Sequence, residues 1–487
     1  MCLPMKATIA VLSKNDDSVT ELILNTLNSI SLKHTPSHYG LITPKGNYSH
    51  KSPYLLEQQA AHSSIAIGYT SSPKTKNSYE IQQFNESSLL FEGNIFSSKL
   101  NFASPKNSKD PLGYEKSLET TLEQSDGNYT LLLLKENCIV AGRDPIGINP
   151  LYFGENREFI AFSTNRKALW KIGIEKPVSF PPGNLCFTYK EGFKFKKVKT
   201  LSLRESTSVP LNDAAEPLQI LLLEAIERRV KGLKKVAVAF SGGIDSSIIA
   251  FLAKKCGVDV HLLHVSLENQ LETEQAIEAA KLLDLPLEIH LFKESDVETT
   301  LPLVIDLIEA PDPIKASIGV PFFWLAEKSF EEGHKVLLAG QGADELFGGY
   351  QRYVTEYLKE GAEKTRKAMF DDVASIHTSN LERDLKIAGF FDLDLRLPFA
   401  SYDLADFAVN LPVECKIEHS LNTLRKLVLR AVAKNIGVPD SIVDKPKKAI
   451  QYSTGISDSI KKIAKKQQKT IKDYVNELFE ASKSNYS

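Results

Sequence analysis

The 487 residues exceed the roughly 100–200 typical of one domain, so two domains are expected. Apolar residues make up 42% and charged residues 25%, which excludes a disordered tail, a collagen-like chain and a coiled-coil rod. Lysines and arginines number 59 against 61 aspartates and glutamates, and the resulting formal charge of −2 leaves no electrostatic footprint for nucleic acid.

Taken in chain order, residues up to about 200 read as short strands and turns. Apolar or alternating runs at 81–92, 129–135, 138–143, 159–163 and 185–190 are split by Gly, Asn, Asp and Pro. Residues 18–31 and 110–123 have helical periodicity, while the polar stretches 43–52 and 71–78 read as surface loops. This half is a sheet-rich α+β domain over 1–200. A polar, Pro-containing linker is expected at 201–213. From 214 to 487 the rhythm changes. Helices at 214–230, 244–255, 272–283 and 317–330 alternate with strands at 235–240, 258–265, 287–292 and 335–339, which predicts a parallel sheet covered on both faces. Helical patterns dominate from about 354, ending in a Lys-rich helix over 459–481 whose later acidic residues make it a solvated face.

Cys2, Cys138, Cys186, Cys256 and Cys415 are too scattered for a disulfide framework and form no C-x-x-C pair. A reducing cytoplasm is therefore expected, and no zinc site is read from them. No apolar run approaches the ~20 residues that cross a bilayer, and the first residues lack a signal-peptide core, so no membrane partner is expected.

Ser241-Gly242-Gly243-Ile244-Asp245-Ser246-Ser247 falls where a predicted strand turns into a predicted helix. Two glycines allow a sharp turn and close approach to a ligand, and the helix start supplies N–H donors and a positive dipole end. No Lys follows, so this is not the G-x-x-x-x-G-K-S/T loop. A glycine-rich run, Gly340 to Tyr350, follows a second strand and carries Gln341, Asp344 and Glu345. Asp245 and Asp344 thus come from strand ends on one sheet edge, where carboxylates plus phosphate oxygens suit Mg²⁺.

With these motifs the chain resembles the glutamine-dependent asparagine synthetase family over nearly its whole length. S-G-G-I-D-S-S resembles the pyrophosphate loop of the ATP pyrophosphatases, and G-Q-G-A-D-E-L-F-G-G-Y at 340–350 resembles the family's second ATP and magnesium segment. The runs at 312–317, 394–399 and 445–451 resemble further synthetase segments, and 141–152 resembles the family's largely structural G-R-D-x-x-G-x-x-P-L-Y hallmark.

The resemblance implies an αββα sandwich of the N-terminal nucleophile type. It also implies a C-terminal α/β domain, adenine nucleotide α-hydrolase-like, with a parallel sheet and a helical C-terminal part. ATP-binding residues would be Ser241, Gly242, Gly243, Ile244, Asp245, Ser246, Val265, Lys315, Gly340 and Gln341, with Asp245 and Asp344 holding Mg²⁺. Cys2, Lys448 and Asp394 would be catalytic, Lys445 and Lys447 competing with Lys448 for its slot. Cys2, terminal after methionine removal, would attack glutamine with its own amine as base. Asp126 and Gly93 would bind glutamine.

Three departures stand out. Leu3 and Glu92 occupy positions where the family has Gly and an oxyanion-hole Asn, and Gln341 stands where it often has Glu. A carboxylate at 92 would repel a developing oxyanion. The implied activity is adenylation of aspartate with release of pyrophosphate, then displacement of AMP by ammonia, free or from glutamine, delivered through a tunnel in that family. Adenylation of another carboxylate, as in β-lactam synthetases, and a catalytically silent scaffold are the other readings. A homodimer is left open.

Overall fold

The computed structural model describes residues 6–30, 38–60, 62–71, 79–84, 87–97, 111–420, 424–445 and 455–486. Cys2, Leu3, Lys447 and Lys448 lie outside them, as does most of the expected loop at 71–78. The chain divides into two compact units, Met1–Thr200 with Phe479–Ser487, and Leu201–Leu478.

The first unit contains β1 (Ala7–Ser13), β2 (His38–Thr43), β3 (Gly46–His50), β4 (Ile65–Ser71), β5 (Tyr79–Phe84), β6 (Ser87–Ile95), β7 (Gly127–Leu134), β8 (Ile139–Arg143), β9 (Tyr152–Glu155), β10 (Phe159–Ser163), β11 (Val178–Ser179), β12 (Asn184–Tyr189) and β13 (Gly192–Lys197). They form two sheets of order β11-β9-β10-β1-β4-β2-β3 and β13-β12-β8-β7-β6-β5, every recorded pair antiparallel. Period-two alternation explains the layering. Leu132 and Leu134 of β7 face Ala10, Leu12 and Ile67 of the other sheet, whereas Leu131 and Leu133 turn outward with Leu118 and Leu122 of helix α3 (Pro111–Gln124).

Over the first sheet lies α1 (Thr20–Ile30), and a side chain at Gly68 of β4 would strike Ile23 and Leu27. The result is helix, sheet, sheet, helix: the αββα sandwich. The stretch 43–52 is largely a strand, not a loop, because β3 closes a hairpin on β2. The single run expected at 81–92 is part of the hairpin of β5 and β6.

The second unit is built on one parallel sheet of β14 (Lys235–Ala239), β15 (Asp259–Leu267), β16 (Leu287–Phe292), β17 (Val336–Leu338) and β18 (Asp394–Arg396), in the order β16-β15-β14-β17-β18. The chain lays down three strands in one direction and then returns to add two on the other side of β14. The order therefore reverses between β14 and β17, which opens a crevice beyond their carboxyl ends. Helix Leu211–Val230 begins inside the expected linker, its first turn following Pro210. The expected Lys-rich helix is two helices, Ile456–Lys466 and Ile471–Lys483, parted where Gln468 takes a left-handed φ of 58°. Among the described residues no helix is long and apolar enough to cross a membrane.

Candidate active site

β14 ends at Ala239, and helix α6 (Ile244–Lys255) begins five residues later. The turn between them works only with glycine at 242, where φ is +71° and a Cβ would lie 2.8 Å from the Gln275 carbonyl oxygen. Ser241 and Gly243 are exposed at the loop's crest, Gly243 N–H donates to Ser241 Oγ at 3.4 Å, and Ser246 Oγ donates back to Gly243 O at 3.2 Å. The loop is thus pre-shaped, with the start of α6 directed at the crevice.

Beside it, after β17, Gly340 approaches so closely that a side chain there would meet Asp245 Cβ at 3.2 Å. A cavity of about 580 Å³ fills the crevice. Its wall includes Ser241, Gly242, Gly243, Ile244, Asp245, Ser246, Val265, Lys315, Gly340, Gln341 and Asp344, so the fold gathers all the residues expected at ATP and at the metal. Lys315 arrives through a capped helix start. Asp312 accepts from Ile314 N–H at 2.8 Å and Lys315 N–H at 3.0 Å, and Pro313 opens the helix α9 (Pro313–Glu331).

Lys426, which the sequence did not single out, joins the two aspartates. Its Nζ lies 2.7 and 2.6 Å from the Asp245 carboxylate oxygens and 2.6 Å from Asp344 Oδ1. The lysine side chain is 1% exposed, while the aspartates retain 21% and 22%, so the acids and not the ammonium face the cavity. Burial pulls the lysine below its usual range and Asp245 opposes that shift. Lys426 adopts φ +63° at the start of helix Leu427–Ile436. No local pattern marks such a residue; its partners are far away in sequence.

Arg352, Arg383 and Arg430 also reach the cavity wall and were not read from sequence. Arg383 holds buried Asp384 through two bonds of 2.7 and 2.9 Å. Glu345 receives Tyr350 Oη at 2.6 Å and Asn380 Nδ2 at 2.8 Å, and burial raises its carboxyl. Gln341 Oε1 is buried with no hydrogen-bond partner among the described residues.

Asp394 is not brought to the cavity. The parallel register pairs it with Val336, at the amino end of β18 and so away from the crevice, and it is absent from the cavity wall. Its Oδ2 holds Arg396 at 2.7 Å. Lys445 does reach the wall, its Nζ 2.6 Å from Glu278.

In the first unit, Gly93 has φ +125°, and a Cβ there would fall 2.0 Å from the Asn128 carbonyl oxygen, so glycine is required where β6 pairs with β7. Asp126 lies just before β7 and is buried. Glu92 Oε2 accepts from Thr8 Oγ1 at 2.9 Å, and burial pushes its carboxyl upward against the opposing effects of Thr8 and Lys6. Arg143 and Asp144 are fully buried, and each serves the backbone. The guanidinium donates to the carbonyls of Gly147, Asn149 and Phe180, and the carboxylate accepts from the N–H groups of Ile146, Ile148 and Asn149.

Comparison with known families agrees with this architecture. The asparagine synthase family matches residues 218–362 and 355–485, and the glutamine amidotransferase domain family matches 98–171. A Methanocaldococcus jannaschii protein provisionally named glutamine-hydrolysing asparagine synthetase 1 is 31% identical over 410 residues, covering 74% of this chain and 75% of its own. A glutamine-hydrolysing asparagine synthetase of Asparagus officinalis is 28% identical over 364 residues, covering 71% and 60%. A solved glutamine phosphoribosylpyrophosphate amidotransferase from B. subtilis aligns over 58% of this chain and 65% of its own at 13% identity and a TM-score of 0.31, too slight a likeness to carry weight.

An amidotransferase sandwich followed by a crevice-bearing parallel sheet defines a carbon–nitrogen ligase of two parts. The chain belongs to the asparagine synthetase family.

Proposed function

We propose that this protein is an ATP-dependent amide ligase that converts aspartate to asparagine with nitrogen from glutamine or free ammonia. The observation that carries the reading is the convergence of the 241–246 loop, Lys315, Gln341, Asp245 and Asp344 on one cavity at the sheet's switch point. The side-chain carboxylate of aspartate attacks the α-phosphorus of ATP and pyrophosphate leaves. Ammonia then attacks the acyl carbon, AMP departs, and the nitrogen loses a proton.

The chain's residues serve these steps by binding and by charge. The loop's N–H groups and the hydroxyls of Ser241 and Ser246 receive the departing pyrophosphate, and Lys315 neutralises charge that grows on it. Asp245 and Asp344 are the donor type that Mg²⁺ takes beside phosphate oxygens, and both are partly open to the cavity. The ion would add charge neutralisation at the same phosphates. Lys426 keeps the two carboxylates together. Lys448 is assigned to the acyl-adenylate.

Glutaminase chemistry is assigned to the first unit, with Cys2 as nucleophile and Gly93 and Asp126 at the glutamine, and synthetase chemistry to the second. The reducing cytoplasm is the assigned compartment. Gln341 favours a second reading, the same adenylation on another carboxylate. An amide there cannot take up a proton as the family's usual Glu could, and its Oε1 has no hydrogen-bond partner among the described residues.

Pyrophosphate release with ATP, Mg²⁺ and aspartate, run with glutamine, with ammonium and with neither, tests the proposal. Asparagine from both nitrogen sources is expected. Release with ammonium alone would confine the activity to the synthetase half, and no aspartate-dependent release would overturn the substrate assignment.

A further inference from the structure

Away from the nucleotide cavity, at the edge of the parallel sheet, β16 carries Glu288 and His290 two residues apart and so on one face. Glu332, which caps the end of α9, lies against them. One ligand atom from each of these three residues falls within 4.8 Å of the others, and His290 Nε2 stands 2.6 Å from Glu332 Oε1. None of the three lines the nucleotide cavity.

A second feature points into the same cluster. His334, on the approach to β17, packs beside the cluster with a side chain only 2% exposed, its Nε2 3.6 Å from Glu332 Oε2. Glu332 Oε2 is buried without a hydrogen-bond partner among the described residues. A carboxylate oxygen buried in this way is costly unless something satisfies it. The neighbouring polar groups are already engaged. His261 is bonded to Asp259 at 3.0 Å with its ring 5.1 Å from that of His334, and Lys328 on the last turn of α9 is held by Glu331 at 2.6 Å.

We propose that Glu288, His290 and Glu332 form a binding site for a divalent transition-metal ion of the zinc class. An imidazole with two carboxylates suits Zn²⁺, Co²⁺ or Ni²⁺ and not Mg²⁺ or Ca²⁺, which take oxygen alone. Bonds of about 2.0–2.1 Å in a tetrahedron set neighbouring ligand atoms roughly 3.3 Å apart, inside the 4.8 Å that contains the three ligand atoms. The two carboxylates balance the ion's charge. Three protein ligands leave the fourth position to water, and the ion ties edge strand β16 to the end of α9. The site stands independently of the ligase reading.

Titration of chelator-treated full-length protein with Co²⁺, followed by its visible absorption, tests this. We expect about one tight equivalent with the intense bands of four-coordinate cobalt, retained in Asp344→Asn and weakened roughly a hundred-fold or lost in His290→Ala and Glu332→Gln. No stoichiometric binding, binding that survives both of those variants, or binding lost only in Asp344→Asn would overturn the site. Should the variants fail to fold, zinc-edge X-ray absorption of the wild-type protein decides. One imidazole with oxygen ligands in the shell upholds the site, and a thiolate or all-oxygen shell overturns it.

Discussion

Lys426 and Gly349 together fix the positions of the two cavity aspartates. Removing a buried ammonium from between Asp245 and Asp344 would leave two like charges facing each other, so the lysine is what makes the pair tolerable within the protein. Gly349 supplies the space for it. A Cβ at this position would lie 1.8 Å from Asp344 Oδ1 and 2.6 Å from Lys426 Cε. Gly349→Ala must therefore displace the Asp344 carboxylate. We expect about a 10²-fold fall in pyrophosphate release with thermal stability nearly kept, since catalysis is sensitive to misplacement on the order of 1 Å. Unchanged turnover in Gly349→Ala would mean that Asp344 is not needed where it stands.

A different buried lysine contributes to the pH response. Lys416 is 1% exposed, and burial, reinforced by Arg366, lowers it from 10.5 to about 7. Below pH 7 the lysine is charged in both folded and unfolded chains and folding bears the full penalty. Between about 7 and 10.5 the unfolded chain holds a proton that the folded one has released, so this group makes stability rise with pH, by up to about 1.4 kcal/mol per unit. Lys416→Met should stabilise the protein by on the order of a few kcal/mol near pH 6, and the advantage should shrink towards pH 10. Denaturant melts at the two pH values check the sign; an advantage that grew with pH would refute the account.

Among elements, α9 shows how a local signal becomes a functional position. Asp312 and Pro313 start the helix, and the cap bonds to Ile314 and Lys315 N–H fix the turn that delivers Lys315 to the cavity. Asp312→Ala should cost about 1 kcal/mol of stability, typical of a lost N-cap, and raise KM for ATP several-fold while kcat changes less. A lower melting temperature with KM unchanged would separate the cap from the nucleotide. The 312–317 run was legible as a motif because its parts are adjacent, yet the helix was expected only from 317, four residues after its capped start.

Elements were missed where their cause is distant. Polar strand β3 exists because β2 pairs with it, and the break between the last two helices rests on a left-handed Gln468 that no glycine announces. Lys426 and Arg383 acquire their roles from contacts with residues far along the chain or from where their helices lie, so helical periodicity alone could not single them out.

On the scale of the whole molecule, alternating strands and helices foretold a parallel sheet but not its order, and it is the reversal between β14 and β17 that brings the 241–246 loop beside Gly340. The division of labour between the units gives the last prediction. If glutamine is split by Cys2 and amide formation occurs in the second unit, the two nitrogen sources must part company in a single variant. Cys2→Ala should lose glutamine-supported asparagine formation at least about 10²-fold while keeping its ammonium-supported rate, because only the nucleophile is removed. Asp344→Asn should lose both. Glu92 tempers the wild-type expectation less than its charge suggested, since it accepts from Thr8 and is pushed towards its neutral form by burial, which weakens repulsion of an oxyanion. Product analysis with each nitrogen source checks this. Glutamine-supported turnover that survives Cys2→Ala would remove the thiol from the mechanism, and an ammonium-supported rate that falls with it would tie the amino terminus to the synthetase chemistry itself.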